Sequence, residues 1–198
     1  TYIPKDKKRD GVVGFDTGPG MSLVDKAVTK IFNAPCDLDG KYSKKGKVDS
    51  KLLSKLMEND YIIKPPPKST DIDEFGDALL DKIITDNKSL DSYNLVRTLI
   101  QLTVDSIYYN IIRFINLKDM NCELVYSGGG TDNPVVLESL MKKNLNIIPI
   151  SKYGIDSSIK EALLMAFLGA CRKLNLNGNM RSVTGANAYC VLGDFYDG

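Results

Sequence analysis

The sequence predicts an α/β fold, on three observations. Short β-branched and aromatic runs at 12–15 and 124–126 each end in a loop rich in glycine. Between and after them lie stretches with apolar residues at helical spacing, the longest over 93–115. From 124 onward, strand, glycine loop, helix, strand and helix alternate, which implies a local parallel sheet with helices across it. The 198 residues, 43% of them hydrophobic, suffice for one full core or two small ones.

Taken in order, 2–3 and 12–15 read as two strands joined by a charged turn. Lys5, Lys7, Lys8 and Arg9 in that turn are diluted by Asp6 and Asp10, which favours a solvated turn over a phosphate-backbone contact. A helix over 23–32 carries Leu23, Ala27, Val28 and Ile31 on one side; 33–48 is polar and glycine-bearing, hence loop. A short helix at 52–57 leads to Pro65-Pro66-Pro67, a rigid spacer excluded from helix and central strand. Phe75, Leu79, Leu80 and Ile83 mark an amphipathic helix. The 93–115 helix places Val96, Leu99, Ile100, Thr103, Ile107, Ile111, Phe114 and Ile115 on a core-facing stripe. After the strand at 124–126, Pro134 at a first turn and Asn133 as its N-cap open another helix. A strand at 147–150 follows, then a helix over 158–174 expected to bury Ile159, Leu163, Ala166, Phe167, Ala170 and Cys171. No internal repeat is evident.

Composition excludes as much as it suggests. The chain contains no His, so histidine triads, histidine metal clusters and imidazole bases are excluded within it, leaving carboxylates, lysines, hydroxyls and backbone amides. With 26 basic and 25 acidic residues the formal charge is +1, which argues against a nucleic-acid or membrane-surface binder. Cys36, Cys122, Cys171 and Cys190 show no CxxC pairing, so free thiols in a reducing compartment are expected. No signal peptide or apolar run of spanning length is present, and a cytoplasmic address is the expectation. A start at Thr1 rather than Met reads as processing or truncation.

Two segments carry chemistry. In Gly14-Phe15-Asp16-Thr17-Gly18-Pro19-Gly20 an apolar strand delivers a carboxylate into a loop of small residues, whose backbone N–H groups can face an anion. For that segment taken alone, a solvated Asp at an ordinary strand-to-turn corner is the stronger reading. In Ser127-Gly128-Gly129-Gly130, three residues without Cβ allow close ligand approach, and the following helix N-terminus suits phosphate. Neither Walker A nor GxGxxG is present, and a flexible strand-to-helix turn is the rival explanation. The two loops together favour nucleotide plus acid chemistry.

As a set these residues resemble the C-terminal half of the anhydro-N-acetylmuramic acid kinase family, of the actin-like sugar-kinase superfamily. The matching pieces are Gly14 to Gly20; Pro65-Pro66-Pro67-Lys68-Ser69-Thr70; Gly128-Gly129-Gly130 with Asn133-Pro134; Gly154-Ile155-Asp156 with Glu161-Ala162; and Asn179 with Ser182-Val183-Thr184-Gly185-Ala186. They occur in family order over nearly the whole chain.

The resemblance implies a ribonuclease H-like, actin-like lobe, a mixed sheet flanked by helices, spanning 1–198 and lacking the N-terminal lobe and one strand. It implies an ATP- and magnesium-dependent kinase that opens a 1,6-anhydro sugar while phosphorylating O6, in amino-sugar recycling. Asp16 matches the general base that takes a proton from the attacking water, a role a carboxylate fills without histidine. Gly128, Gly129, Gly130 and Asn133, with Thr17 and Gly18, match the nucleotide site. Glu161 falls on the sugar side as a second catalytic carboxylate, or is a solvated helix residue. Lys68, Ser69 and Thr70 line the sugar cleft, unless Ser69 or Thr70 caps a helix. Thr184 and Gly185 open the last helix. Expected partners are the sugar and ATP, with a homodimer as a further expectation and no nucleic acid or membrane; the N-terminal lobe is needed to complete the site.

The chain departs from the family at Met21, usually Asn; at Asp71-Ile72-Asp73, usually Gly-Arg-Glu; and at Arg181, usually Pro. Those changes remove donors that could read a lactyl or acetamido group, so levoglucosan, the plain 1,6-anhydroglucose, stands as an alternative substrate. A non-catalytic remnant with a nucleotide- or partner-binding fold is the other alternative.

Overall fold

The longest periodic stretch becomes helix α5 (Ser92–Phe114), around which the larger part of the molecule is built. The structure, a computed structural model, describes residues 1–5, 9–70, 74–115 and 122–196. Its Cα trace divides into two compact units, Asp16–Pro149 and, separately, Thr1–Phe15 with Ile150–Gly198.

In the larger unit Asp91 caps α5 by accepting from the backbone N–H groups of Tyr93 and Asn94, at 2.9 and 3.1 Å. The helix buries Leu95, Val96, Leu99, Ile100, Leu102 and Val104. Helix α1 (Ser22–Phe32) packs Leu23, Val24, Ala27 and Val28 into the same core. Asp49 caps α2 (Ser50–Met57), and Asn59 caps the single turn α3 (Asp60–Ile63). Helix α4 (Asp77–Asp86) contributes Leu80 and Ile83. Phe75 precedes α4 instead of lying on it, yet is buried edge-on against Tyr61, with ring centroids 5.6 Å apart.

Strands β1 (Glu123–Tyr126) and β2 (Asn146–Pro149) pair in parallel from Glu123↔Asn146 to Tyr126↔Pro149. Helix α6 (Pro134–Met141) crosses between them, with Pro134 in its first turn and the Asn133 carboxamide accepting from Val135 N–H at 3.0 Å. The expected strand–loop–helix–strand order is present, although Ile150 lies beyond β2 in a 3-10 turn. The segment read as plain loop over 33–48 contains two 3-10 turns, Leu38–Gly40 and Ser43–Lys45. Buried Asp37 organises them by accepting from Tyr42 N–H at 2.8 Å, from Ser43 N–H at 3.3 Å and from the Ser43 hydroxyl.

The smaller unit departs further from expectation. The two strands predicted at 2–3 and 12–15 reduce to one antiparallel bridge, Tyr2↔Val13, with hydrogen bonds of 2.7 and 3.0 Å. The ladder stops there because Val12 N–H turns back to Arg9 O, closing the 3-10 turn Arg9–Gly11. Lys7 and Lys8 of the charged turn lie outside the described residues. Helix α7 (Lys160–Lys173) forms as predicted, but of its expected buried side only Cys171 is buried. Leu163 and Phe167 are 47% and 60% exposed, and Ile159 just before the helix is 52% exposed. Helical periodicity identifies a stripe; it does not supply the surface that covers it. Thr184 and Gly185 close the short helix α8 (Arg181–Thr184) instead of opening it, Gly185 serving as its left-handed C-cap with φ 72°. Arg9 donates to the carbonyls of Asn177 and Asn179 at 2.8 and 2.6 Å, fastening the segment before α8.

Candidate functional site

Asp16 begins the larger unit, exposed and held from several sides. Its Oδ2 accepts from the Ser69 hydroxyl and from Thr70 N–H, each at 3.0 Å. Its backbone N–H donates to Lys68 O at 3.4 Å, and its carbonyl accepts from the Tyr61 hydroxyl at 3.1 Å. Ser69 and Thr70 therefore orient Asp16; α4 takes Gly76 as its N-cap, so neither caps that helix. Two donors on one carboxylate oxygen fix the orientation of the group, an arrangement suited to a positioned base.

Lys68 lies behind this pair. It is 7% exposed, its ammonium donates to Tyr61 O and Ile62 O at 3.0 Å each, and it stands 5.0 and 5.5 Å from the ring centroids of Tyr61 and Phe114. Burial, and secondarily the charge of Lys64, pulls this ammonium below the usual lysine range. Burial also pushes the Tyr61 phenol up to about 12, assisted by the charges of Asp16 and Glu74. The phenol thus stays protonated and donating.

The loop after Asp16 is gripped by its carbonyls. Asn110 Nδ2 donates to Thr17 O at 3.1 Å, and the Thr103 hydroxyl donates to Gly20 O. A Cβ at Gly18 would fall 2.6 Å from Ser106 Oγ, so that glycine is demanded by packing against α5. Among the described residues no acceptor meets the backbone N–H of Thr17, Gly18, Gly20 or Met21. Gly20 has φ 56° and Met21 is right-handed, a left–right succession that turns consecutive N–H groups toward one side. Met21 then serves as N-cap of α1 without a side-chain cap bond.

The Met21 side chain reaches the glycine loop instead, where a Cβ at Gly130 would lie 2.8 Å from its Cγ. Gly128 has φ 93°, and the backbone N–H and hydroxyl of Thr131 both donate to its carbonyl, at 3.0 and 2.6 Å. Gly129 has neither a positive φ nor any atom within 4 Å of an added Cβ, so the fold gives no reason for its missing side chain. Asn133 is turned inward: besides capping α6, its Nδ2 donates to Asp37 O at 3.0 Å and Asp37 Oδ2 at 2.9 Å. It supports the glycine loop from below.

Glu161 belongs to the smaller unit, exposed in the first turn of α7, where Lys160 at 3.2 Å holds its carboxyl below the usual range. Asp156 of the same motif caps a 3-10 turn by accepting from Ser158 N–H at 2.8 Å. Asp71, Ile72 and Asp73 lie outside the described residues. Among the described residues no group of three or more Cys, Asp or Glu could hold a metal ion, the four thiols are unbridged, and no helix is long and apolar enough to cross a membrane.

Sequence reasoning missed Tyr61, Ser106 and Asn110, and read Thr103 only as part of an apolar stripe. The available signal was a polar residue recurring at i, i+3 and i+7 inside that stripe.

A family model described as anhydro-N-acetylmuramic acid kinase matches residues 5–198. The protein of that name from Clostridioides difficile (strain 630) is 36% identical over 197 residues, covering 98% of this chain and 51% of the relative. Its namesake from Salinibacter ruber is 33% identical over 197 residues, covering 98% and 50%. One from Shewanella sp. (strain ANA-3) is 34% identical over 195 residues, covering 98% and 51%. The chain thus spans about half the length of the curated relatives it matches.

Proposed function

Because the chain belongs to the anhydro-N-acetylmuramic acid kinase family, we propose that the protein carrying it converts 1,6-anhydro-N-acetylmuramic acid, ATP and water to N-acetylmuramic acid 6-phosphate and ADP. The 198 residues form the C-terminal, nucleotide- and sugar-binding lobe of a two-lobe kinase with an actin-like fold, which works by closing on its substrates. The names of the relatives favour this sugar over levoglucosan.

The observation that carries the reading is the Asp16 carboxylate, held by Ser69 and Thr70 on a loop whose N–H groups lie open and which meets the glycine loop through Met21. Asp16 takes a proton from water as the water oxygen bonds to the anomeric carbon. The bond from that carbon to O6 breaks, and O6 accepts the γ-phosphoryl group as ADP leaves. Ser69 and Thr70 keep the carboxylate in one rotamer, and Lys68 braces the turn that carries them. The open N–H groups of Thr17 and Gly18 suit a phosphate, and Gly129 leaves room for the nucleotide above the Asn133-capped helix. Exposed and ionised Glu161 is the second carboxylate of this reading, on the sugar side. Magnesium would come with the triphosphate and neutralise its charge, keeping several waters; a chain without a three-ligand cluster among its described residues fits that mode. Two copies forming a dimer, in the cytoplasm, complete the proposal.

The test is ATP-dependent formation of the sugar 6-phosphate by the protein as encoded, followed by mass spectrometry, with levoglucosan alongside. Asp16→Asn is expected to lower kcat by roughly 10²–10⁴-fold, the usual worth of a general base. Wild-type turnover in that variant would remove Asp16 from the role.

A further inference from the structure

The buried face of α5 carries a polar stripe that core packing does not call for. Thr103, Ser106 and Asn110 are 4%, 0% and 0% exposed and recur at i, i+3 and i+7. Each meets the segment after Asp16: Thr103 donates to Gly20 O, Ser106 abuts Gly18, and Asn110 donates to Thr17 O at 3.1 Å. Asn110 Nδ2 also reaches Ile62 O at 3.3 Å, the carbonyl that Lys68 binds at 3.0 Å. Asn110 thus joins the loop after Asp16 to the Tyr61–Ile62 turn that Lys68 also binds.

We infer that Thr103 and Asn110, which hold the Asp16–Gly20 loop by its carbonyl side, and Ser106, which packs against Gly18, are positioning residues that make the carboxylate and the open N–H groups face the substrates. The inference rests on Asp16 being the base. A valine at 103 would fill the same space, and apolar residues at all three positions would extend the hydrophobic core at lower desolvation cost. Among the described residues Asn110 Oδ1 is buried without a hydrogen-bond partner, a cost that the three carbonyl contacts of its Nδ2 at 2.8–3.3 Å accompany. A group kept at a cost to stability is serving placement.

The stripe ties down carbonyls only. A loop so held cannot turn its peptide planes over, and its N–H groups stay aimed at one side, ready for an anion without reorganisation. Catalytic groups must sit within a few tenths of an ångström of the productive geometry, which a glycine-rich loop does not ensure without such anchors.

The experiment compares Thr103→Val, which keeps the shape and loses the hydroxyl, with Thr103→Ser, which keeps the hydroxyl, in the protein as encoded. Thr103→Val is expected to lower kcat about tenfold while the sugar KM moves less than about twofold, with faster amide exchange by mass spectrometry at Ser22, whose N–H donates to Pro19 O at 3.2 Å. Thr103→Ser is expected to stay near wild type in both. Asn110→Ala supplies a second reading, of exchange at the bonded amides of Asp16 and Ser22, should Thr103→Val fold poorly. Wild-type kcat and exchange in Thr103→Val, or equal losses in Thr103→Ser, would overturn the inference. Faster loop exchange in the variants of a protein that turns over no anhydro sugar would support the stripe and remove the base assignment instead.

Discussion

The two glycine loops of the larger unit look alike in sequence and differ in cause. Gly18-Pro19-Gly20 is shaped from behind: Ser106 fills the space a side chain at Gly18 would need, Gly20 requires a positive φ, and α5 donors take the carbonyls. In Gly128-Gly129-Gly130 the backbone demands glycine at 128 and the Met21 side chain demands it at 130, while nothing within 4 Å demands it at 129. A glycine explained by its neighbours speaks for the fold. One that its neighbours leave unexplained speaks for something that arrives later, which the proposed function makes the nucleotide.

The sharpest way to break this contrast is Gly18→Ala. The added Cβ would meet Ser106 Oγ at 2.6 Å and Cβ at 2.9 Å, both on a short side chain whose hydroxyl is bonded to Thr103 O. A stability loss of about 1–3 kcal/mol is expected from overpacking, read by chemical denaturation. Pairing it with Ser106→Gly should recover part of that loss even though glycine inside a helix costs about 1 kcal/mol by itself. Strict additivity of the two changes would show that the contact does not decide Gly18.

Gly129→Ala is the converse. With open space and an unstrained φ it should leave the unfolding midpoint unchanged or raise stability by about 0.4–1 kcal/mol through the unfolded state. Nucleotide affinity, followed by titration with a fluorescent ATP analogue, should fall roughly tenfold, equivalent to about 1.4 kcal/mol. Unchanged affinity would leave Gly129 as a turn residue and take the nucleotide away from this loop.

What the sequence made legible follows the same division. Local chemistry was readable: the stripe of α1, the Asn133 cap with Pro134, the parallel strands around α6, and Asp16 beside small residues. Ser69 and Thr70 were placed by motif, and their bonds to Asp16 give that placement a geometry. Long-range partners were not readable. The 4% exposed Asn133 amide turns to Asp37, and Lys68 turns to two carbonyls and two rings, because tertiary contacts 96 and 6 to 7 residues away outweigh their local preference for a ligand or for water. The predicted strands at 2–3 and 12–15 lost their ladder to a competing turn at Arg9, and the α7 stripe has Cys171 alone buried. Periodicity encodes which residues share a face, but the partner of that face is a property of the folded whole.

The smallest effect is a titration. In the folded protein the Tyr61 phenol lies at about 12, above its ordinary value of 10.0, so the folded state binds that proton more tightly than the unfolded chain. The stability this contributes is fully present below pH 10.0 and is lost as pH rises through about 12. The Tyr61 hydroxyl holds Asp16 O, whereas Gly128 O is held by the backbone N–H and hydroxyl of Thr131. Stability measured by denaturant across this interval should therefore fall in the wild type more than in Tyr61→Phe. A global loss of equal size in both proteins would assign the alkaline transition to other groups. A Tyr61-dependent loss would place one titrating tether at Asp16, beside the Thr103 and Asn110 contacts of the first loop, which do not titrate.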